Sequence, residues 1–79
     1  MNTFERLKQV CAAVFEGEID ISAITPESSL REDIGINSIG ILYMAVAIDE
    51  EFGIKFTNDD FVDIFKVSDV VAIIDKKVS

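Results

Sequence analysis

The segment "SIGILYMAVAIDEEF", residues 38–52, decides the fold, because it has no charge from Ile39 to Ile48 and then ends on three acids and a phenylalanine. Ten uncharged residues are too few to cross a membrane, which takes about 20. They are also too uniformly apolar for a helix that shows one face to water. The segment is therefore either a helix buried on both sides or a helix whose second apolar face binds something else.

A helical wheel, at about 100° per residue, separates this segment into two apolar stripes. The first stripe has no charge and is the expected core face: Ile41, Met44, Ala45, Ile48 and Phe52. The second stripe contains a carboxylate: Ile39, Leu42, Tyr43, Val46 and Glu50. Because an unpaired carboxylate is rarely buried, we expect the second stripe to be exposed. An exposed apolar stripe rimmed by acids is typical of a binding surface, and burial of both stripes is the alternative.

Before this segment, apolar residues at spacings of three and four predict a first helix that begins at an Asn2 cap and ends at Gly17. Residues 18–37 lose the helical pattern and predict a long ordered loop, with room for a helical turn after Thr25-Pro26. Four apolar residues can hold this loop to the core: Ile21, Ile24, Leu30 and Ile34. A loop of this length in a small domain is often functional.

After Gly53, the sequence predicts two more helices. Thr57 is the expected cap of a short third helix, and Ser68 that of a fourth, which ends on Lys76 and Lys77. No segment alternates as a half-buried strand would. The predicted fold is all-α and forms one domain over residues 1–79, a four-helix bundle with a short third helix and a long loop between helices 1 and 2.

The composition excludes several kinds of active site. The 79 residues contain no histidine and one cysteine, Cys11, so we expect no intrachain disulfide, no Cys/His metal site and no Ser–His or Cys–His catalytic pair. Cys11 lies on the apolar face of the first helix and is expected to be buried. The N-terminus lacks the long apolar core of a signal peptide, which predicts a complete cytoplasmic protein. A domain this small also leaves little room for a substrate cavity, so we expect no enzyme.

The net charge of −8 is unevenly distributed, because residues 16–63 carry twelve acids and only two bases, Arg31 and Lys55. Such a surface repels nucleic acids and anionic membranes, whose phosphates bind Lys and Arg. It attracts basic patches on partner proteins, although acids can also serve only to keep a protein in solution. We expect a monomer with protein partners.

Ser38 stands at the start of the predicted second helix. Its simplest role is an N-cap, since serine is among the best caps. No base accompanies it in the motif, so it is a poor nucleophile by itself. A helix N-terminus also suits a phosphate, because free amides and the helix dipole favour an anion. Ser38 is therefore the kind of serine that another enzyme modifies.

Two motifs resemble the 4′-phosphopantetheine attachment region of acyl carrier proteins, in which Asp-Leu-Gly-x-Asp-Ser-Leu leads into a helix that ends in Glu-Glu-Phe. Here the positions read "DIGINSI", residues 33–39, and "EEF", residues 50–52. The segment "FKVSDVVAIIDKKV", residues 65–78, is similar to the closing helix of the same family. The resemblance covers nearly the whole chain. It implies that a phosphopantetheinyl transferase loads Ser38 from coenzyme A and that the arm's thiol then holds acyl groups as thioesters.

The resemblance also implies roles for other residues of the second helix. Partner enzymes that transfer or modify acyl groups, with basic or apolar docking patches, would contact Asn37, Ile39, Leu42, Tyr43, Val46, Asp49 and Glu50. An acyl chain would rest between the helices against Met44 and Ile48. The carrier itself would catalyse nothing.

Two departures from the family pattern point to a specialised carrier in a fatty-acid, lipid or polyketide-type pathway. Asn37 stands where the family has an aspartate, and Gly40 and Tyr43 stand where fatty-acid carriers often have acids. A freestanding D-alanyl or peptidyl carrier is an alternative, and so is a helical adaptor that is never modified.

Overall fold

A computed structural model describes residues 2–16 and 19–78 of the chain. Within them, the chain forms four α-helices and one 3₁₀ turn between the first two: α1 (Thr3–Val14), the turn (Ile21–Ala23), α2 (Ser38–Phe52), α3 (Asn58–Val62) and α4 (Val67–Val78). The one extended pairing in these residues is an isolated antiparallel bridge between Ser29 and Lys66. The predicted all-α fold, with its short third helix and long first loop, is confirmed.

The core lies where α1 packs against α2 and α4. Three helices supply most of its buried side chains: Leu7, Val10 and Cys11 from α1, Ile41, Met44, Ala45 and Ile48 from α2, and Val67, Val70 and Ile74 from α4. Removal of this apolar surface from water is the main force that holds the helices together. The first stripe of α2 is therefore the core face, as predicted.

Local hydrogen bonds set the ends of α1 and α2. The side-chain oxygen of Asn2 accepts a hydrogen bond from the amide of Glu5 at 2.8 Å, as an N-cap does. Gly53 has a φ of 68° and ends α2 in the left-handed conformation that glycine adopts easily. The first helix ends at Val14 with Phe15 as its C-cap, earlier than the stop predicted at Gly17, which itself lies outside the described residues.

The loop before α2 is held to the segment before α4 by backbone hydrogen bonds. The amide of Leu30 donates to the carbonyl of Phe65 at 2.9 Å, and the amide of Val67 donates to the carbonyl of Ser28 at 3.0 Å. Leu30 and Ile24 are buried in the core. The loop is therefore fixed at both its backbone and its apolar side chains, and it delivers the chain to the start of α2 in a defined position.

A 3₁₀ turn in this loop lies at Ile21–Ala23, before Pro26. Its position follows from Asp20, whose carboxylate accepts hydrogen bonds from the amide of Ser22 at 3.1 Å and from the hydroxyl of Ser22 at 2.6 Å. An aspartate that caps its own following turn in this way is common in loops. The predicted turn after Thr25-Pro26 is also present, since the amide of Ser28 donates to the carbonyl of Thr25 at 3.0 Å.

The fourth helix also begins differently from the prediction. It starts at Val67, so Ser68 lies inside its first turn and is not the cap. The carboxylate of Asp69 instead accepts hydrogen bonds from the amides of Phe65 and Lys66, at 3.0 and 2.9 Å. An acid in the first turn satisfies amides that the helix leaves unpaired and also favours the positive helix end.

The short third helix is held by one carboxylate. Asp60 accepts a hydrogen bond from the amide of Thr57 at 2.8 Å and forms an ion pair with Lys77 of α4 at 3.0 Å. The hydrogen bond from Thr57, followed by that from Lys77, lowers the pKa of the Asp60 carboxyl. Thr57 begins α3 as predicted, and the ion pair ties α3 to the end of α4.

Candidate functional site

Ser38 is the first residue of α2, and its side chain is exposed. The cap of the helix is the preceding residue, since the side-chain oxygen of Asn37 accepts a hydrogen bond from the amide of Gly40 at 2.8 Å. The hydroxyl of Ser38 is therefore not needed to cap the helix. The simplest role for this serine, that of an N-cap, is filled by its neighbour.

A tight contact between the loop and α2 fixes the position of Ser38. The amide of Ile36 donates to the carbonyl of Leu30 at 2.8 Å, and the buried side chain of Ile36 lies directly over Gly40. A Cβ atom at position 40 would be only 2.7 Å from Cγ2 of Ile36. Glycine at position 40 thus lets the loop approach the helix two residues from Ser38.

One cation lies against the serine. Nη2 of Arg31 donates a hydrogen bond to the hydroxyl oxygen of Ser38 at 3.1 Å. No ion pair of Arg31 occurs within residues 2–16 and 19–78. The guanidinium and the N-terminus of α2 together create a positive electrostatic potential at this point of an otherwise acidic span. This potential suits an anion on the serine oxygen.

The second stripe of α2 is exposed, as predicted. Its four large apolar side chains are between 54% and 66% exposed: Ile39, Leu42, Tyr43 and Val46. Glu50, at the far end of the stripe, is exposed as well. Val62 and Phe65, in and after α3, add two more exposed apolar side chains that the sequence analysis did not identify. An apolar surface of this kind usually marks a binding site for another protein.

Asp49, at the border between the two stripes, has a role within the fold. Its carboxylate accepts a hydrogen bond from the amide of Phe56 at 3.1 Å and so ties the end of α2 to the segment before α3. Asp49 is half-buried, whereas Glu50 is exposed. Of these two acids, Glu50 is the more available to a partner.

Two surface grooves flank Ser38 on opposite sides of α2. The groove towards α3 has a volume of about 280 Å³ and is lined in part by Arg31, Ser38, Leu42 and Phe61. The groove towards the end of α1 has a volume of about 530 Å³ and is lined by other residues, among them Phe15, Asn37, Ile39, Gly40 and Tyr43. Of the two, only the smaller includes the serine itself.

The acyl-chain pocket expected at Met44 and Ile48 is closed in this structure. Both side chains are almost fully buried, at 1% and 0% exposure. The cavity beside Met44 measures about 10 Å³, no more than one water needs. Leu7 and Cys11 of α1 line that cavity, so the space that the sequence assigned to cargo is already filled by core packing.

The structure offers no competing site in the part that it describes. Cys11 is buried, and burial raises the pKa of its thiol to about 11, so the thiol stays protonated and unreactive at neutral pH. Residues 2–16 and 19–78 hold no cluster of three potential metal ligands. In the same residues, no helix is long and apolar enough to cross a membrane.

Sequence reasoning missed Arg31 as a site residue, although a signal was present. Arg31 is one of only two bases between residues 16 and 63, and it lies two residues before the "DIGINSI" motif. Its contact with Ser38 depends on the fold of the loop, which the sequence pattern does not specify.

Comparisons with known proteins agree with the motif. Residues 5–74 match the family model described as "Phosphopantetheine attachment site". The acyl carrier protein of Nitratidesulfovibrio vulgaris is 33% identical over 73 residues, which cover 90% of this chain and 96% of that protein. That of Solidesulfovibrio magneticus is 29% identical over 77 residues, which cover 98% and 96%.

A second group of relatives is more similar over a shorter stretch. The acyl carrier protein AcpXL of Mesorhizobium japonicum is 47% identical over 53 residues, which cover 67% of this chain and 55% of AcpXL. The matched part is thus about half the length of that relative, whereas the carriers of the first group are matched over nearly their whole length. The chain belongs to the acyl carrier protein family, whose members are carriers and not enzymes, hold 4′-phosphopantetheine covalently and interact with phosphopantetheinyl transferases and acyl-handling enzymes.

Proposed function

We propose that Ser38 carries the 4′-phosphopantetheine arm and that the chain presents acyl thioesters to the enzymes of a specialised fatty-acid, lipid or polyketide-type pathway. The observation that carries this proposal is that the hydroxyl of Ser38 is exposed and is not needed as a helix cap, because Asn37 caps the helix. The nearby guanidinium of Arg31 and the helix N-terminus fit the negative charge of a phosphodiester at this oxygen.

The loading reaction requires only a nucleophilic oxygen from this chain. The Ser38 oxygen forms a bond to the phosphorus of coenzyme A that bears the pantetheine, and the pyrophosphate bond to that phosphorus breaks. Adenosine 3′,5′-bisphosphate leaves. The hydroxyl proton passes to a base of the transferase, which fits a chain without histidine. When bound, the arm supplies a thiol that holds acyl groups as thioesters.

Replacement of Ser38 tests the proposal. The protein is incubated with coenzyme A and a broad-specificity phosphopantetheinyl transferase, and its intact mass is measured. Ser38→Ala should gain no mass while its helical circular dichroism is unchanged. Ser68→Ala is the matched control, because Ser68 also lies in the first turn of a helix, and it should load like the wild type. Full loading of Ser38→Ala would refute the carrier assignment of this residue.

The docking surface for partner enzymes is the exposed stripe next to Ser38. We place its contacts at Asn37, Ile39, Leu42, Tyr43, Val46 and Glu50, with Asp49 at the edge. The part near Ser38 is apolar, and the acids lie at the far end, so this surface fits partners with an apolar patch close to their active-site entrance and basic residues further away. A single copy of the chain binds its partners through this surface.

The resting place of the acyl chain is the groove between α2 and α3. Its volume of about 280 Å³ suits the first carbons of a chain, and its lining contains Ile41 and Ile64, which are part of the core. A longer chain would reach Met44 and Ile48 only by displacing core side chains. Thermal melts of carriers loaded with saturated chains of increasing length would test this, since burial in the groove raises the melting temperature.

The relatives named acyl carrier protein support an acyl cargo for this chain. No contact in the described residues favours the freestanding D-alanyl or peptidyl carrier over an acyl carrier. The unmodified adaptor predicts that the wild type gains no mass in the loading experiment, so the same measurement separates it. The cytoplasmic location remains a prediction from the sequence.

A further inference from the structure

Three other basic side chains of the described residues pair with carboxylates. Arg6 pairs with Glu51 at 3.0 Å, Lys66 with Glu27 at 3.5 Å and Lys77 with Asp60 at 3.0 Å. Arg31, in the most acidic part of the chain, has no such carboxylate in residues 2–16 and 19–78, and its guanidinium donates instead to the hydroxyl of Ser38 at 3.1 Å. A cation without a carboxylate partner, fixed on the proposed attachment oxygen, adds little to the stability of the unloaded fold.

We propose that Arg31 binds the phosphodiester on loaded Ser38 and so directs the first atoms of the phosphopantetheine arm to the α3 side of α2. This inference rests on the proposed function of Ser38. Guanidinium groups bind phosphate oxygens through parallel, charge-assisted hydrogen bonds. The donor is already within hydrogen-bond distance of the oxygen that would bear the phosphorus. Arg31 is therefore a positioning residue and not a catalytic one.

The direction of the arm follows from where Arg31 lies. Arg31 and Ser38 both line the groove towards α3, and neither lines the larger groove towards α1. A phosphodiester held by this guanidinium therefore starts the arm above the α3 groove. The larger groove has nearly twice the volume, but Asn37 and Ile39 line it in place of Arg31 and Ser38.

The charge balance gives Arg31 a second effect. Residues 16–63 carry a net charge of −10, and loading adds one more negative charge at Ser38. Arg31 offsets the new charge locally, so loading costs the wild type little stability. Without the guanidinium, the phosphodiester adds to the repulsion in this span and the loaded form is less stable.

A comparison of loaded and unloaded proteins tests the proposal. Melting temperatures are measured for the wild type, Arg31→Gln and Lys55→Gln, each before and after loading from coenzyme A. Lys55→Gln is the matched control, because it removes the same charge from the same acidic span. We expect loading to lower the melting temperature of Arg31→Gln by about 3 °C more than that of the wild type. Lys55→Gln should respond to loading as the wild type does.

Phosphorus NMR adds a local measurement. The phosphodiester resonance of the loaded protein should move in Arg31→Gln and stay in place in Lys55→Gln. Arg31→Lys, which keeps the charge and loses the planar fork, should fall between the two.

The outcomes separate the two proposals. A wild type that gains no mass, or a loaded Ser38→Ala, removes the proposed function. If the wild type loads and Arg31→Gln shows the same change in melting temperature and the same phosphorus resonance, only the inference about Arg31 is wrong. An Arg31→Gln protein that does not load while Lys55→Gln loads normally contradicts the inference, because the guanidinium would then act in the transfer reaction itself and not on the loaded phosphodiester.

Discussion

The two stripes of α2 contain the same kinds of side chain in opposite surroundings. Met44 and Ile48 are at most 1% exposed, whereas Ile39 and Tyr43, on the same helix, are more than half exposed. Burial of one large apolar side chain is worth about 1.5–3 kcal/mol. The protein forgoes this stabilisation at four positions of the exposed stripe, all next to or beyond Ser38. The difference supports the proposal that one face of the helix serves the fold and the other binds partners.

Packing shows the same contrast. The cavity on the buried side, beside Met44, has a volume of about 10 Å³, whereas the two grooves beside Ser38 have volumes of about 280 and 530 Å³. Core side chains interdigitate with few voids in native proteins, so a change of size or charge there is costly. The exposed side has room to accept a change.

A charge in the buried stripe should have the largest effect. Ile48→Glu places a carboxylate at a position with 0% exposure, among the apolar side chains of the core. A buried unpaired charge costs several kcal/mol, which is comparable with the whole stability of a small domain. We expect the variant to be largely unfolded by circular dichroism at 25 °C. Ile48→Val is the control and should cost only about 1 kcal/mol. A cooperative melt of Ile48→Glu near the wild-type temperature would show that this stripe is not core.

The buried thiol of Cys11 should make the free energy of unfolding depend on pH, and this dependence tests the packing on the same buried side of α2. Burial raises the pKa of the thiol from 9.0 to about 11, so above pH 9 the unfolded chain loses the proton while the folded protein keeps it. The stabilisation from the buried neutral thiol is complete below pH 9 and is lost as the pH rises to 11. Two pH units correspond to a loss on the order of 2 kcal/mol.

Urea unfolding between pH 8 and 11 measures this loss, with Cys11→Ala as the control. The control should have lower stability at every pH because of its cavity, but a smaller decline above pH 9. Parallel declines in both proteins would mean that Cys11 is accessible to solvent and that α1 packs loosely against Met44.

Replacement of Gly40, beside the exposed stripe, by alanine should destabilise the fold, although this substitution normally stabilises a helix. Alanine in place of glycine inside a helix usually adds about 1 kcal/mol. Here the new Cβ would lie 2.7 Å from Cγ2 of buried Ile36, and overpacking of this kind costs about 1–3 kcal/mol. We expect Gly40→Ala to lower the free energy of unfolding by about 1 kcal/mol, measured by urea titration.

A double-variant cycle isolates the clash at Gly40. In an Ile36→Ala background, which removes Cγ2, the Gly40→Ala change should become stabilising. If Gly40→Ala stabilises the wild type as well, the loop does not press on the helix and the position of Ser38 is less fixed than the structure indicates.

The sequence predicted α2, both its stripes and its ends, because an apolar period and a Gly stop are local features. It also identified Ser38 at the start of α2, since the motif around Ser38 is contiguous. It did not predict the contact between Arg31 and Ser38 or the closed space at Met44, because both depend on how the loop and α1 pack against α2. Ser68 was predicted as the cap of α4, but Asp69 accepts the hydrogen bonds of the first amides. Serine at the cap and aspartate in the first turn are both typical of a helix start, so the sequence alone does not distinguish these two adjacent residues.

A charge in the exposed stripe should have the smallest effect on stability and a clear effect on binding. Leu42→Glu and Val46→Glu replace exposed side chains, and surface changes usually alter stability by no more than about 0.5 kcal/mol. Both variants should melt near the wild-type temperature. Leu42 lines the groove that contains Ser38, whereas Val46 lies one turn further along, so loading by the transferase should slow more in Leu42→Glu than in Val46→Glu. Loading rates at two salt concentrations, measured beside the melts, separate apolar docking from charge repulsion, because only repulsion weakens as salt rises. If Leu42→Glu unfolds the domain as Ile48→Glu does, both stripes are core, and the surface assigned to partners would be a packing feature of the helix.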